Sequence, residues 1–198
     1  MGANNHLTVT PTNHRLTERQ VAETIGREYD EMEVYGETSE ELLEAVRLLL
    51  KMNDYLFDAI EAHGVHVEFT EEDPYETYEE MCSDIVVNDR LKIFSGGTHP
   101  SHISRDDNLK SRAVHDYWGH YKNDCDFSFW GEFQKWHAMK AWYPEPVHRL
   151  TFQEVVGQTG LAYYLEGGFS NPEFEQKTFL APTRWANLCY RNYPGDLQ

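Results

Sequence analysis

The chain has 198 residues, with 17 Lys and Arg against 34 Asp and Glu, so its formal net charge is −17 at pH 7. Binding nucleic acid nonspecifically or docking on anionic lipid needs a basic surface, and this composition argues against both. Lysine is scarcer than arginine. This balance fits either a halophilic host, in which salt screens self-repulsion, or an ordinary acidic cytosolic protein.

Three widely spaced cysteines, Cys82, Cys125 and Cys189, form no CxxC pair. They indicate free thiols in a reducing compartment. The longest apolar runs are far shorter than the roughly 18 residues of a membrane span, and the N-terminus lacks the regions of a signal peptide. We therefore expect a cytoplasmic protein without a membrane partner, in a host cell that is haloarchaeal or in a viral context.

The N-terminal third predicts two helices. Residues 1–15 are polar and rich in turn formers, which predicts a flexible arm. Thr17 and Gln20 have the spacing of a capping box and predict a helix to about Val34, before Gly36. A second helix should begin after Ser39 and end near Gly64, with a buried face at three-four spacing formed by Leu42, Val46, Leu49, Leu50, Asn53, Phe57 and Ile60.

The next segment predicts a small β element. Residues 65–69 alternate like a short strand, and a helix should follow over 73–82. Two apolar runs, 85–87 and 91–94, flank Asn88-Asp89-Arg90, which is typical of a hairpin turn.

The remaining chain predicts a loop over 95–100 and then helices near residues 106–119, 126–142, 146–166 and 172–180. The sequence thus favours a mainly α (α+β) fold. We expect a single globular metal-binding domain over 16–198, with a small β-hairpin and a metal site between helices.

Candidate metal ligands are concentrated in the segment from His115 to His120. Positions five apart on a regular α-helix lie about 140° apart, so these two imidazoles do not share a face. They can converge if the helix ends at Gly119 in a left-handed conformation. Asp116 adds a carboxylate to the same six residues. The alternative is a surface helix with incidental histidines.

Two carboxylates compete as a third ligand. Glu154 lies in an otherwise apolar helix, where burying a carboxylate is costly unless it is paired or bound to a metal, and Gln158 shares its face. Glu132 lies five residues before His137 in a helix whose aromatic residues are typical of a core. Two His and one carboxylate match the facial triad of non-haem Fe(II) oxygenases, and three protein ligands plus water also match catalytic zinc.

The run His115-Asp116-x-x-Gly119-His120 resembles the iron-binding segment of the pterin-dependent aromatic amino acid hydroxylases. In that family a glutamate in a later apolar helix completes the triad. The resemblance implies Fe(II) bound by His115, His120 and Glu154, and it covers only about 50 residues. No segment is assigned to the pterin.

A broader set of segments resembles a poorly characterised family of phage and plasmid proteins with an RAVHDxFGH motif. The matching residues are Arg90-Leu91, Phe94–Gly97, His99-Pro100, Arg112–Tyr117, Gly131-Glu132, His137-x-Met139 and Glu154-x-x-x-Gln158. The sequence departs from that family between residues 152 and 158, where an Arg-Gly-Gln-Asn run is not kept. The resemblance implies a viral or mobile-element origin, and it places Glu132 and His137 near the site, in a second metal position if there is one.

These observations leave three hypotheses. In an Fe(II) hydroxylase-like enzyme, Asp116 would orient a ligand or water while Glu132, His137 and Gln158 line the pocket, and the small-molecule substrate would be aromatic. In a zinc hydrolase, Asp116 or Glu132 would be the general base. In a non-enzymatic, virion-associated protein, the histidines would be structural. A homo-oligomer contact is expected near Trp185 and Tyr190.

Overall fold

The computed structural model describes residues 15–33, 39–97, 99–100 and 102–197. The predicted arm over 1–15 lies, except for Arg15, outside this range, as do Val34 and Gly36. The α-helices are α1 (Glu18–Glu31), α2 (Glu40–Ala62), α3 (Tyr78–Asn88), α4 (Arg105–Val114), α5 (Phe129–Met139), α6 (Glu145–Phe152), α7 (Gln158–Tyr164) and α8 (Thr183–Asn192). The strands are β1 (His66–Thr70) and β2 (Arg90–Phe94). The predicted mainly α class with a small β element is confirmed.

The predicted helix starts are confirmed where a polar cap precedes an apolar run. The Thr17 side chain accepts from the backbone N–H of Gln20, and the Gln20 side chain accepts from the backbone N–H of Thr17. Ser39 caps α2 by accepting from the N–H of Leu42. Such caps satisfy N–H groups that have no partner within the helix.

The predicted hairpin is wrong, because the two strands are parallel. Val67 pairs with Leu91, and α3 forms the crossover between the strands. The run Ile85–Val87 belongs to α3, where Ile85 is buried while Val86 and Val87 are 66% and 72% exposed. A capping box at Thr77 starts this helix, and tertiary packing of Ile85 outweighs the strand preference of β-branched residues. The helix predicted over 73–82 is this element, beginning five residues later.

The helices pack around aromatic and aliphatic core clusters. In one, Tyr29, Phe133, Phe152 and Trp185 join α1, α5, α6 and α8. Helices α1 and α7 meet at Gly26 and Gly160, where a Cβ on Gly26 would lie 2.1 Å from the carbonyl oxygen of Gly160. This contact brings the two backbones together without intervening side chains.

The C-terminal predictions are wrong in two respects. The segment 172–180 contains no helix, and the last helix is α8, which the apolar pattern did not reveal. Trp185 is only 1% exposed and packs in the core, so it does not belong to a contact surface. Tyr190 is 37% exposed and its hydroxyl lies 2.8 Å from His137 Nδ1.

Over the residues that the structure describes, the helices are too short or too polar to cross a lipid bilayer.

Candidate metal centre

Two stretches of the described chain form π-helical turns that extend α-helices. The first π turn, His115–His120, continues α4, and the second π turn, Gln153–Gly157, joins α6 to α7. A π turn pairs residues five apart instead of four, and such turns occur frequently at functional sites. Helix α5 packs against both turns. The candidate site is therefore built where three helical segments meet.

The first π turn explains how His115 and His120 converge. Their Nε2 atoms lie 3.0 Å apart, because i to i+5 winding places residues five apart on the same side of the helix. The convergence does not need a left-handed residue at Gly119, since Gly119 is not among the residues with positive φ. The absence of a side chain at Gly119 leaves room for Lys135 instead, since a Cβ at this position would lie 2.4 Å from Lys135 Cδ.

Glu132 on α5 completes a group of three potential ligand atoms. Its Oε1 lies 3.6 Å from His115 Nε2 and 3.3 Å from His120 Nε2. We call His115 Nε2, His120 Nε2 and Glu132 Oε1 the donor triad. Among the described His, Cys, Asp and Glu residues, these three form a group close enough to hold a metal ion. Of the two carboxylates that the sequence left in competition, the structure places Glu132 in this group.

The spacing of the donor triad matches a mononuclear metal centre. Ligand atoms about 2.1 Å from one ion and separated by angles of roughly 90° to 110° lie about 3.0 to 3.5 Å apart. The observed separations, 3.0, 3.3 and 3.6 Å, form a nearly equilateral triangle of that size. An ion just outside the plane of this triangle would contact all three atoms on one face.

The protein environment fixes the tautomer of His120. This side chain is fully buried, and its Nδ1 lies 2.9 Å from the carbonyl oxygen of Cys125. A carbonyl only accepts, so Nδ1 carries the proton and Nε2 keeps its lone pair. Metal-bound histidines are typically oriented by such a bond from the other ring nitrogen. The Phe127 ring packs edge-on against the imidazole and limits its rotation.

The charges in the site favour the ligand forms that a metal needs. Burial alone would raise the pKa of the Glu132 carboxyl, but Lys135 and the two imidazoles hold it well below its usual range. Burial and the charge of Lys135 lower the pKa of His115 to about 4. At neutral pH the site therefore offers the carboxylate of Glu132 and the neutral imidazole of His115, which are metal-binding states.

Glu154 lies on the second π turn and lines the same cavity as Glu132. Its Oε2 accepts a hydrogen bond from Gln158 Nε2 at 3.0 Å, as the four-residue spacing predicts. Its Oε1 is buried and has no hydrogen-bond partner among the described residues. Burial raises the pKa of Glu154 to about 8, so this side chain is a neutral acid at pH 7.

Asp116 and His137 have different positions relative to the donor triad. Asp116 lines the cavity, its Oδ1 lies 3.8 Å from His115 Nε2, and burial raises its pKa to about 6. His137 is not among the residues that line the cavity and contacts Tyr190 instead. The structure thus brings together six predicted or competing site residues: His115, Asp116, His120, Glu132, Glu154 and Gln158.

Sequence reasoning missed Lys135. Its side chain is 1% exposed, and its Nζ lies 2.8 Å from Glu132 Oε2. The sequence feature that could have revealed it is a lysine between Phe133 and Trp136 in an otherwise aromatic helix, three residues after Glu132. That spacing places the ammonium and the carboxylate on one helix face.

The cavity beside the donor triad has a volume of about 460 Å³, the size of a small-molecule site. Aromatic side chains on its wall include Phe94, Phe127, Trp136 and Phe169, and polar ones include Asn108, Ser111 and Thr159. Compared with protein-family models, curated proteins and solved structures, the chain matches none.

Proposed function

We propose that this protein is a metal-dependent enzyme of the non-haem Fe(II) oxygenase type, with the ion bound by the donor triad. The observation that carries the proposal is the triangle of His115 Nε2, His120 Nε2 and Glu132 Oε1 with separations of 3.0 to 3.6 Å. Two His and one carboxylate on one face leave open positions for substrate and dioxygen. Fe(II) would supply dioxygen activation at those positions.

The cavity supports a small, partly aromatic substrate. His115, Glu132 and the Phe94, Phe127 and Phe169 rings line the same space. Aromatic walls favour stacking or edge-on contacts with a substrate ring. Glu154 lines the same cavity, is held by Gln158 and keeps one buried oxygen without a partner among the described residues. A protonated Glu154 would donate a hydrogen bond to a polar group of that substrate.

A zinc hydrolase is the second candidate, and Asp116 is the observation that favours it. Its carboxyl lines the cavity next to His115, and its pKa of about 6 suits a general base near neutral pH. The same donor triad would bind zinc and leave the fourth position for the attacking water. This candidate predicts turnover that needs no dioxygen.

Metal analysis of anaerobically purified and reconstituted protein tests both candidates. We would compare the wild type with Glu132→Ala, Glu154→Ala and His137→Ala; the last removes an imidazole outside the cavity. We expect about one metal per chain in the wild type, in Glu154→Ala and in His137→Ala, and loss of metal in Glu132→Ala. Loss in Glu154→Ala alone would instead make Glu154 the third ligand, as the hydroxylase resemblance implies.

The identity and reactivity of the bound metal then separate the chemistries. Iron, with dioxygen consumption that depends on an added aromatic compound and a reductant, supports the oxygenase. Zinc, with oxygen-independent cleavage of ester or amide probes, supports the hydrolase. Absence of bound metal after reconstitution with Fe(II) and Zn(II) would overturn both and leave the histidines as structural residues.

A further inference from the structure

The Lys135 ammonium lies against two of the proposed ligand residues, His115 and Glu132, and contacts one atom of the donor triad, His115 Nε2. Its Nζ lies 2.8 Å from Glu132 Oε2, 2.6 Å from His115 Nδ1 and 2.9 Å from His115 Nε2. Only 1% of the Lys135 side chain is exposed, so these atoms replace the water that would otherwise solvate the ammonium. A buried lysine is stable only when such pairing offsets its desolvation. The contacts therefore compete directly with metal binding.

The ammonium does not lie along the lone pair of one ring nitrogen of His115. Its Nζ is 2.6 Å from Nδ1 and 2.9 Å from Nε2, and these two nitrogens flank the same ring carbon. The contact therefore does not determine which nitrogen carries the ring proton. It does place a cation beside Nε2, the atom of His115 that a metal ion would need.

Charge repulsion acts in the same direction. A divalent ion about 2.1 Å from His115 Nε2 would lie within about 5 Å of the lysine Nζ, given the 2.9 Å between Nζ and that nitrogen. Two cations at this separation repel strongly in a site from which water is largely removed. The lysine and the ion therefore do not occupy the site together.

We propose that Lys135 is an internal cation that lies against the donor triad at His115 Nε2 and must turn away before a metal ion binds. The inference rests on the proposed metal centre and adds a displacement step to it. Lys135 lines the cavity together with Asp116, so the displaced ammonium has both space and a carboxylate partner. Lys135 thus sets the metal affinity of the site.

Metal affinity in a charge-removing variant tests this inference. Lys135→Met keeps an unbranched side chain of similar length and removes the charge. Lys140→Met is the matched control at the C-cap of α5, where the ammonium lies over the Trp136 ring. Zn(II) is the redox-inert probe, titrated against a chromophoric chelator at fixed pH and ionic strength. We expect Lys135→Met to bind at least about tenfold more tightly than the wild type, and Lys140→Met to bind like the wild type.

The outcomes separate this inference from the metal centre itself. If the wild type binds Zn(II) and Lys135→Met binds no more tightly, the displacement idea fails while the metal centre stands. Binding by Lys135→Met alone would support Lys135 as the cation that keeps metal out and would overturn a metal function of the native chain. If neither protein binds, both proposals fail.

A measurement on the wild type covers the case in which Lys135→Met does not fold. Amine acetylation followed by mass spectrometry reports how accessible each lysine is. With saturating Zn(II), labelling of Lys135 should rise several-fold while that of Lys140 stays constant. Unchanged labelling of Lys135 with zinc bound would show that the lysine stays in place, and the inference would then be wrong.

Discussion

The backbone of Gly119 lies directly against the side chain of Lys135. A Cβ on Gly119 would be 2.4 Å from Lys135 Cδ and 2.7 Å from Lys135 Cγ. A side chain at position 119 would therefore overlap the stem of Lys135 unless that stem moved. The absence of a side chain at Gly119 lets the lysine stem pass beneath the turn and place its Nζ between Glu132 and His115.

Replacing Gly119 with alanine should force the lysine stem aside. We expect Gly119→Ala to lower the free energy of unfolding by about 1–3 kcal/mol, the usual cost of overfilling a packed site. Urea denaturation of the metal-free protein measures this change. A double-mutant cycle with Lys135→Ala gives the control, because the methyl group should cost much less when the stem is absent. Equal costs in the two backgrounds would mean that Gly119 does not act through Lys135.

Local signals in the sequence predicted the starts of α1 and α2. Thr17 with Gln20, and Ser39, cap helices through contacts within one turn, so neighbouring residues suffice to reveal them. Local signals gave a wrong prediction where tertiary packing determines the secondary structure. Ile85–Val87 has the composition of a strand, yet burial of Ile85 against neighbouring elements makes it helical.

The composition of the donor triad depends on features that a sequence pattern does not encode. Regular helix geometry separates His115 from His120, and only the π turn brings their Nε2 atoms to 3.0 Å. The choice between Glu132 and Glu154 is made by the way α5 packs against the first π turn. Lys135 escaped notice because lysine is not a usual metal ligand, although its burial beside Glu132 makes it part of the site.

The contact between α1 and α7 predicts a large effect of a small substitution. A Cβ on Gly26 would lie 2.1 Å from the backbone oxygen of Gly160, and backbone atoms cannot move aside as a flexible side chain can. We expect Gly26→Ala to lower the free energy of unfolding by about 3 kcal/mol or more, or to prevent folding. Glu23→Ala, at a half-buried position of the same helix that pairs with Arg19, should change it by less than about 1 kcal/mol. Comparable stability of the two variants in urea would contradict this close packing.

The net charge predicts how stability depends on salt. With 34 acidic and 17 basic residues, the folded chain concentrates like charges that repel one another. Raising NaCl from 0.1 to 2 M shortens the Debye length from about 10 Å to below 3 Å, so the free energy of unfolding should rise. Urea must be the denaturant, since guanidinium chloride is itself a salt. A flat or falling dependence would argue against adaptation to a saline host.

Glu154 predicts a distinct pH dependence of stability. The unfolded carboxyl titrates near its ordinary value of 4.5, whereas burial raises the folded pKa to about 8. Between these values the folded state keeps a proton that the unfolded state has lost, so the free energy of unfolding falls as pH rises. Above pH 8 the carboxyl is ionised in both states, so its contribution to the free energy of unfolding no longer changes with pH. In this range the buried carboxylate destabilises the folded state by its full amount. Below pH 4.5 both states are protonated and the contribution vanishes.

The variant Glu154→Gln isolates this contribution, because glutamine can keep a hydrogen bond with Gln158 and does not titrate. In EDTA, the variant should be as stable as the wild type near pH 4.5. It should become more stable by about 2–4 kcal/mol near pH 8. Urea unfolding of both proteins across this range gives the difference between their free energies of unfolding. Because the two proteins share every other titratable group, the contributions of those groups cancel in this difference. A difference that stays constant with pH would show that Glu154 is solvated in the folded protein, and its hydrogen-bond role toward a substrate would lose its basis.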